Sequence, residues 1–198
     1  MSLKTSSKTR GHTLTALLTP LSIVMIALYP LIIFFGVANI PLPIMVSVMA
    51  LIFAVRYFTL SQQHSELKSV MRLILVIALV LCLCALVFRS LHVMLYYPVM
   101  VNGVMLVVFT RSLYVPPPII ERLARLQTPD LPQAGIIYTR TVTKVWMGFF
   151  ILNGALAYLT TQMNFAIWTL YNGLISYGLM GVLFLGEWCM RQRCMAKT

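Results

Sequence analysis

Six apolar runs divide this chain of 198 residues, at about residues 14–36, 41–59, 70–88, 93–109, 145–161 and 165–187. Each holds about 17–23 residues, which at about 1.5 Å rise per residue covers a hydrocarbon core of about 30 Å. Hydrocarbon offers no hydrogen-bond partners, so a segment of this length must satisfy its own backbone and be a helix. The alternative spanning structure, a β-barrel, requires segments of about ten residues alternating apolar and polar, and nothing in the chain alternates. The runs fill well over half of a sequence that is 60% hydrophobic and 10% charged, so no separate soluble domain is expected. The expected fold class is all-α: a polytopic six-helix transmembrane bundle forming a single membrane domain over residues 1–198.

The cations add an orientation. Of fifteen Lys and Arg residues, all but Arg89 flank the runs on alternate sides. Lys4, Lys8 and Arg10 precede the first run; Arg56, Lys68 and Arg72 surround the second connection; Arg111, Arg122, Arg125, Arg140 and Lys144 fill the fourth; Arg191, Arg193 and Lys197 follow the last. Cytoplasmic segments are enriched in Lys and Arg, so both termini are expected in the cytoplasm. The net charge of +11 then reads as a topology signal, and a nucleic-acid partner, which would need a basic soluble face, is not expected. The basic start and Gly36-Val37-Ala38 resemble a cleavable signal. The apolar stretch is longer than a signal core and is interrupted by Pro20 and Pro30, so it reads as a retained span.

The connections outside the cytoplasm are short. Asn39 to Pro43 forms a turn, Arg89-Ser90-Leu91-His92 a tight helical hairpin, and Thr161 to Asn164 closes the last pair. The fourth connection, 110–144, is long. Pro116-Pro117-Pro118 reads as a stiff extended spacer. Ile119 to Leu126 then places Ile119, Ile120, Leu123 and Leu126 on one helical face and Glu121, Arg122 and Arg125 elsewhere, the pattern of a short amphipathic helix in the headgroup layer. Thr128-Pro129-Asp130 and Leu131-Pro132 end it, and Gly135 is expected to turn the chain toward the fifth span. Tyr114, Tyr138, Trp146 and Trp188 read as interfacial anchors.

Chemistry is thinly marked. The four acidic residues, Glu66, Glu121, Asp130 and Glu187, avoid the centres of the runs, as do His12, His64 and His92. Proton-coupled carriers need ionisable groups at membrane depth, and an intramembrane metal centre needs clustered His and carboxylates. Ser22, Ser47 and Ser176 have no base within their own runs. No catalytic residue, metal site or cofactor is therefore expected, although His64 or Asp130 could still act at the surface. Cys82 and Cys84 lie within the third run on opposite faces, and Cys189 and Cys194 near the C-terminus, with no zinc spacing.

Two features remain as candidate sites. Asn102-Gly103, Asn153-Gly154 and Asn172-Gly173 each place an amide inside an apolar run. They read either as helix packing, with Gly178, Gly181 and Ser176 adding to it, or as a polar patch lining a groove for a lipid. Arg111, Arg122, Arg125, Arg140 and Lys144 form a basic rim. That rim is either topology alone or a surface for an anionic partner, such as a membrane-lipid headgroup or an acidic protein.

Residues 116–157, PPPIIERLARLQTPDLPQAGIIYTRTVTKVWMGFFILNGALA, resemble a family of small bacterial inner-membrane proteins found in gene clusters for aryl polyene pigments and related products of fatty-acid-synthase-like enzymes. The positions that carry the resemblance are Pro117, Glu121, Arg122, Leu123, Pro129, Leu131, Pro132, Gly135, Tyr138, Thr139, Arg140, Trp146, Phe149, Asn153 and Gly154. The resemblance implies a biosynthetic setting rather than a mechanism, with an acidic acyl carrier protein or a membrane-bound biosynthetic enzyme as a partner. The leading expectation is a non-enzymatic inner-membrane accessory protein that recruits a partner or lipid intermediate through the basic loop. The alternatives are a lipid or polyene-lipid transporter or flippase and, behind it, an acyl or glycosyl transferase.

Overall fold

The structure, a computed structural model, describes residues 20, 24, 28–61 and 68–195, with the side chains of 37, 38, 61 and 191–195 outside that description. Every regular element among the described residues is helical. Five segments, 42–60, 68–87, 92–114, 133–161 and 165–190, are long and apolar enough to cross a membrane. The chain is a helical membrane protein. Much of the first run lies outside the described residues, as do the basic N-terminal tail with His12, and Ser22, His64, Glu66 and Lys197. Two compact units divide the chain, residues 1–97 and 98–198.

In the first unit, α1 (Tyr29–Asn39) starts where Pro30 fits an early helical position that needs no N–H donor. It ends at Asn39, whose amide donates to the Phe35 carbonyl at 3.1 Å, just before Pro41. The chain then enters α2 (Leu42–Ser61), and a Cβ added at Gly36 would stand 2.6 Å from the Met45 sulfur. This close approach is what the glycine permits. Helix α2 packs along α3 (Lys68–Val87), which buries Leu75, Ala78, Cys82 and Ala85. Three of those four are small, and small side chains let helix backbones approach where lipid provides no hydrophobic drive. Cys82 is thus a packing residue.

The hairpin from α3 into α4 (His92–Leu95) turns at Arg89, which adopts φ 49°, while the Ser90 N–H closes back on the Ala85 carbonyl at 3.1 Å. This is a helix end of the left-handed type, usually given to glycine. The one cation that departs from the charge pattern sits at a helix C-terminus, where the dipole favours it. Beyond α4, Pro98 has no N–H for the Met94 carbonyl one turn back. The Tyr29 hydroxyl donates to that carbonyl instead. Tyr29, Phe53 and Tyr97 surround the contact, with ring centroids 4.8–6.4 Å apart.

The second unit holds α5 (Tyr97–Tyr114, from Pro98 onward), α6 (Ile119–Arg125), α7 (Gln133–Thr161) and α8 (Phe165–Leu170). A π-turn at Tyr171–Ile175 follows, and then α9 (Ser176–Met195). Helix α7 begins twelve residues before the expected fifth span, at Gln133, with Pro132 as its extended N-cap. Gly135 lies inside its first turn with no positive φ, so it turns nothing. At 29 residues α7 is about 43 Å long, longer than a hydrocarbon core of about 30 Å. Residues 115–117 bend rather than extend. Asn164 caps α8, its side-chain oxygen accepting from the Ile167 N–H at 2.9 Å.

A positive φ costs a non-glycine residue about 1 kcal/mol. Arg89→Gly should therefore leave the fold intact and raise thermal stability in detergent by up to about that amount, whereas Arg89→Val should lower it. Equal melting temperatures for the two variants would show that the turn is not the constraint described.

Candidate functional site

The asparagines of the last three spans do not stand alone. Asn153 on α7 donates through Nδ2 to Asn102 Oδ1 on α5 at 3.0 Å and accepts at Oδ1 from the Tyr171 hydroxyl at 2.9 Å. Asn102 Nδ2 donates in turn to the Pro98 carbonyl at 2.8 Å. A directed chain thus runs Tyr171, Asn153, Asn102, Pro98, linking the π-turn, α7 and α5. Asn172 takes a separate path, donating to Thr160 Oγ1 at 3.1 Å and to the Trp168 carbonyl at 2.9 Å. Tyr171 and Asn172 are adjacent yet both buried, and both meet α7. The π-turn makes this possible, since its wider winding brings neighbours toward one side.

The glycines that accompany the asparagines differ among themselves. A Cβ at Gly154 would come 3.1 Å from the Asn102 Cβ, while one at Gly103 would meet nothing within 4 Å. Gly178 and Gly181 also face open space, so they mark no close helix approach, contrary to the sequence reading.

Beside this network lies a cavity of about 470 Å³ between α7 and α9. Tyr138 ties the two helices at one end, its hydroxyl donating to the Glu187 carbonyl at 3.0 Å, and Tyr171 ties the π-turn to α7 at the other. Val145, Phe149 and Leu152 line one wall, and Leu179, Val182 and Gly186 the other. Trp146 lines it as well. It is buried against Phe184 with ring centroids 4.6 Å apart, and is core rather than the interfacial anchor expected of it. Tyr114 and Trp188, by contrast, are exposed. Val145, Leu152 and Val182 are open to the surroundings, so the cavity is a lateral groove. From Tyr138 to Leu156 it follows about 27 Å of α7.

The basic rim divides into two groups. Arg122 is committed to the loop, its Nε donating to the Pro117 carbonyl at 2.8 Å and its Nη2 to the Val115 carbonyl at 3.3 Å, so it braces the bend at 115–117. Arg125 pairs with Glu121 at 2.7 Å and donates to the Pro129 carbonyl at 3.1 Å. Glu121 is turned inward and buried, not placed on a solvated face as its helical pattern suggests. Arg111, Arg140 and Lys144 are exposed. Neither Arg140 nor Lys144 lines the groove. Among the described residues no cluster of His, Cys, Asp or Glu could hold a metal ion.

Comparison of the chain with protein-family models, curated proteins and solved structures finds no match.

Interhelical hydrogen bonds in membranes are worth about 0.6 kcal/mol on average and up to about 1.7. Asn153→Leu, which breaks two, should lower stability in detergent by about 1–2 kcal/mol, and Tyr171→Phe by about half as much. Gly154→Val should be as damaging as Asn153→Leu, while Gly103→Ala should be neutral. If Gly103→Ala and Gly154→Val shift the melting temperature alike, the network is not what packs these helices.

In the loop, Arg125 keeps 38% of its side-chain surface exposed, so its pair with Glu121 is worth about 1 kcal/mol rather than the 3–5 lost on breaking a fully buried bridge. Arg122→Gln and Arg125→Gln should each speed proteolysis within 115–132 while leaving the melting temperature nearly unchanged. Cleavage at the wild-type rate in both would show that these arginines do not hold the loop.

Proposed function

We propose that this chain is a non-enzymatic accessory protein of the bacterial inner membrane that holds the hydrocarbon chain of a lipid or polyene-lipid intermediate in the groove between α7 and α9. The groove's shape carries the reading. Its 470 Å³ lies within the usual range of ligand sites. It follows about 27 Å of α7, close to the about 30 Å depth of a hydrocarbon core, and is open along one side. The lining is apolar except at the ends, as a chain-binding site requires.

The arrangement of the whole chain follows from the charge asymmetry: six spans with both termini cytoplasmic, and the loop with α6 on the cytoplasmic face. The resemblance of residues 116–157 supports a setting beside enzymes that build aryl polyenes or related acyl chains on acyl carrier proteins. Exposed Arg111, Arg140 and Lys144 support a second element of the reading, recruitment of an acidic acyl carrier protein or membrane enzyme to the same surface. A transporter or flippase would use the same groove, with Asn153 and Tyr171 as its polar end. A transferase has less support, since Glu187 is the one carboxylate that lines the groove and no histidine, lysine or cysteine lines it beside Glu187.

Gly186 offers the direct test. It lines the groove, and an added Cβ there meets nothing within 4 Å, so Gly186→Leu adds bulk at the groove from a point with open space around it. The variant should fold with equal or higher thermal stability, lose the lipid that copurifies with the wild type in native mass spectra, and fail to restore product in a strain lacking the gene. A correctly inserted Gly186→Leu protein that retains lipid and restores product would defeat the proposal.

A further inference from the structure

Arg56 is accounted for by neither the topology signal nor the groove. The sequence places it among the cations that flank the second connection, where a solvated guanidinium would suffice. In the structure it belongs to α2, about 7–8 Å before the end of that helix at Ser61, and only 6% of its surface is exposed. Its Nη1 is buried and has no hydrogen-bond partner among the described residues. A buried guanidinium without an anion bears a desolvation cost of several hydrogen bonds, and native proteins meet it by pairing the charge.

No such pairing is found among the described residues. The acidic residues there, Glu121, Asp130 and Glu187, all belong to residues 98–198. Residues 1–97 contain one carboxylate, Glu66, in the connection outside the described residues. The same end of the α2–α3 pair carries two more cations, Lys68 at the start of α3 and Arg72 one turn into it. Along the chain, Arg56, Lys68 and Arg72 fall toward the same end of the hairpin, and Glu66 is the one carboxylate of the sequence there.

We propose that Arg56 is the principal ligand of an anion site at this end of the α2–α3 hairpin, and that the ligand is a phosphate group, carried by a membrane lipid or free in solution. The planar fork of arginine matches two phosphate oxygens at once, and such charge-assisted bonds are the strong ones. At this depth a phospholipid phosphate lies in the headgroup layer while its chains run along the helices. The inference is independent of the groove between α7 and α9, and loss of either leaves the other standing.

The test uses the full chain, delipidated in neutral detergent, with melting temperature and native mass spectrometry as readouts. The probes are phosphatidylglycerol, phosphatidylcholine and inorganic phosphate, against wild type, Arg56→Gln and Glu66→Gln. Phosphatidylglycerol should stabilise the wild type more than phosphatidylcholine does. Arg56→Gln should weaken that preference about tenfold or more, the factor expected for losing a charge-assisted hydrogen bond, and Glu66→Gln should keep it. Inorganic phosphate reproducing the effect assigns the site to the free ion; no effect from it assigns the site to lipid. A preference for phosphatidylglycerol that survives Arg56→Gln overturns the proposal. So does equal, non-additive destabilisation of the lipid-free protein by Arg56→Gln and Glu66→Gln, which would make Glu66 the counter-ion. Should Arg56→Gln fail to insert, Arg56→Lys keeps the charge and loses the fork; unchanged affinity for phosphatidylglycerol in that variant overturns the proposal equally.

Discussion

Hydrocarbon supplies no hydrogen bonds, and nearly every polar feature of this chain is arranged around that fact. Pro98 leaves the Met94 carbonyl without its helical donor, and a tyrosine hydroxyl from α1 provides one. The amides of Asn102 and Asn153 saturate each other and end on a backbone carbonyl, with Tyr171 completing the chain. Threonines 139, 141, 143, 160 and 161 turn their hydroxyls back onto carbonyls three or four residues earlier in their own helix. The same accounting fails at Arg56 Nη1, Trp146 Nε1 and Thr169 Oγ1, which are buried with no partner among the described residues, and of these three Arg56 alone carries a charge.

The groove follows from where those bonds are made. Polar ties between α7 and the π-turn–α9 segment occur at Tyr171 and at Tyr138. Between them only apolar side chains face each other, and in lipid such surfaces gain little by closing, since acyl chains are as apolar as leucine. Close packing there would need small residues on both walls. Gly186 is small, but Val145, Phe149 and Leu152 opposite are not, so two helices tied at both ends leave a groove beside the contact of Trp146 with Phe184.

The spans were legible because apolar length is a one-dimensional signal. Residues 42–60, 68–87 and 165–190 fall close to the apolar runs, and the tight turn at Arg89 follows from the short gap between two of them. The early start of α7 was not legible. Proline and glycine in 129–135 read as breakers, yet Pro132 serves as the N-cap and Gly135 is tolerated one turn in. The partners of the asparagines were hidden for another reason. Asn102 and Asn153 are 51 residues apart, and no local pattern reports which amides meet. Tyr171 gave no signal at all, because a tyrosine in an apolar run looks like any other aromatic until a π-turn directs its hydroxyl at an amide.

The basic rim shows why one sequence signal can carry two meanings. Positive-inside orientation needs only that charge be retained on one side of the membrane, so Arg122 and Arg125 count toward the expectation of a cytoplasmic loop even while bonded to Pro117, Val115, Glu121 and Pro129. Attraction of a partner needs charge that is open to solvent, which narrows the surface to Arg111, Arg140 and Lys144. Arg140 and Lys144 are one turn apart on α7, and by helical winding Arg140 points about 170° away from the mean direction of the groove residues. A protein attracted by those charges would therefore meet α7 on one face while a hydrocarbon chain occupied the other. The helix that links the two faces is also the longest of the described helices, so a recruited partner and a bound chain could share it without competing for the same surface.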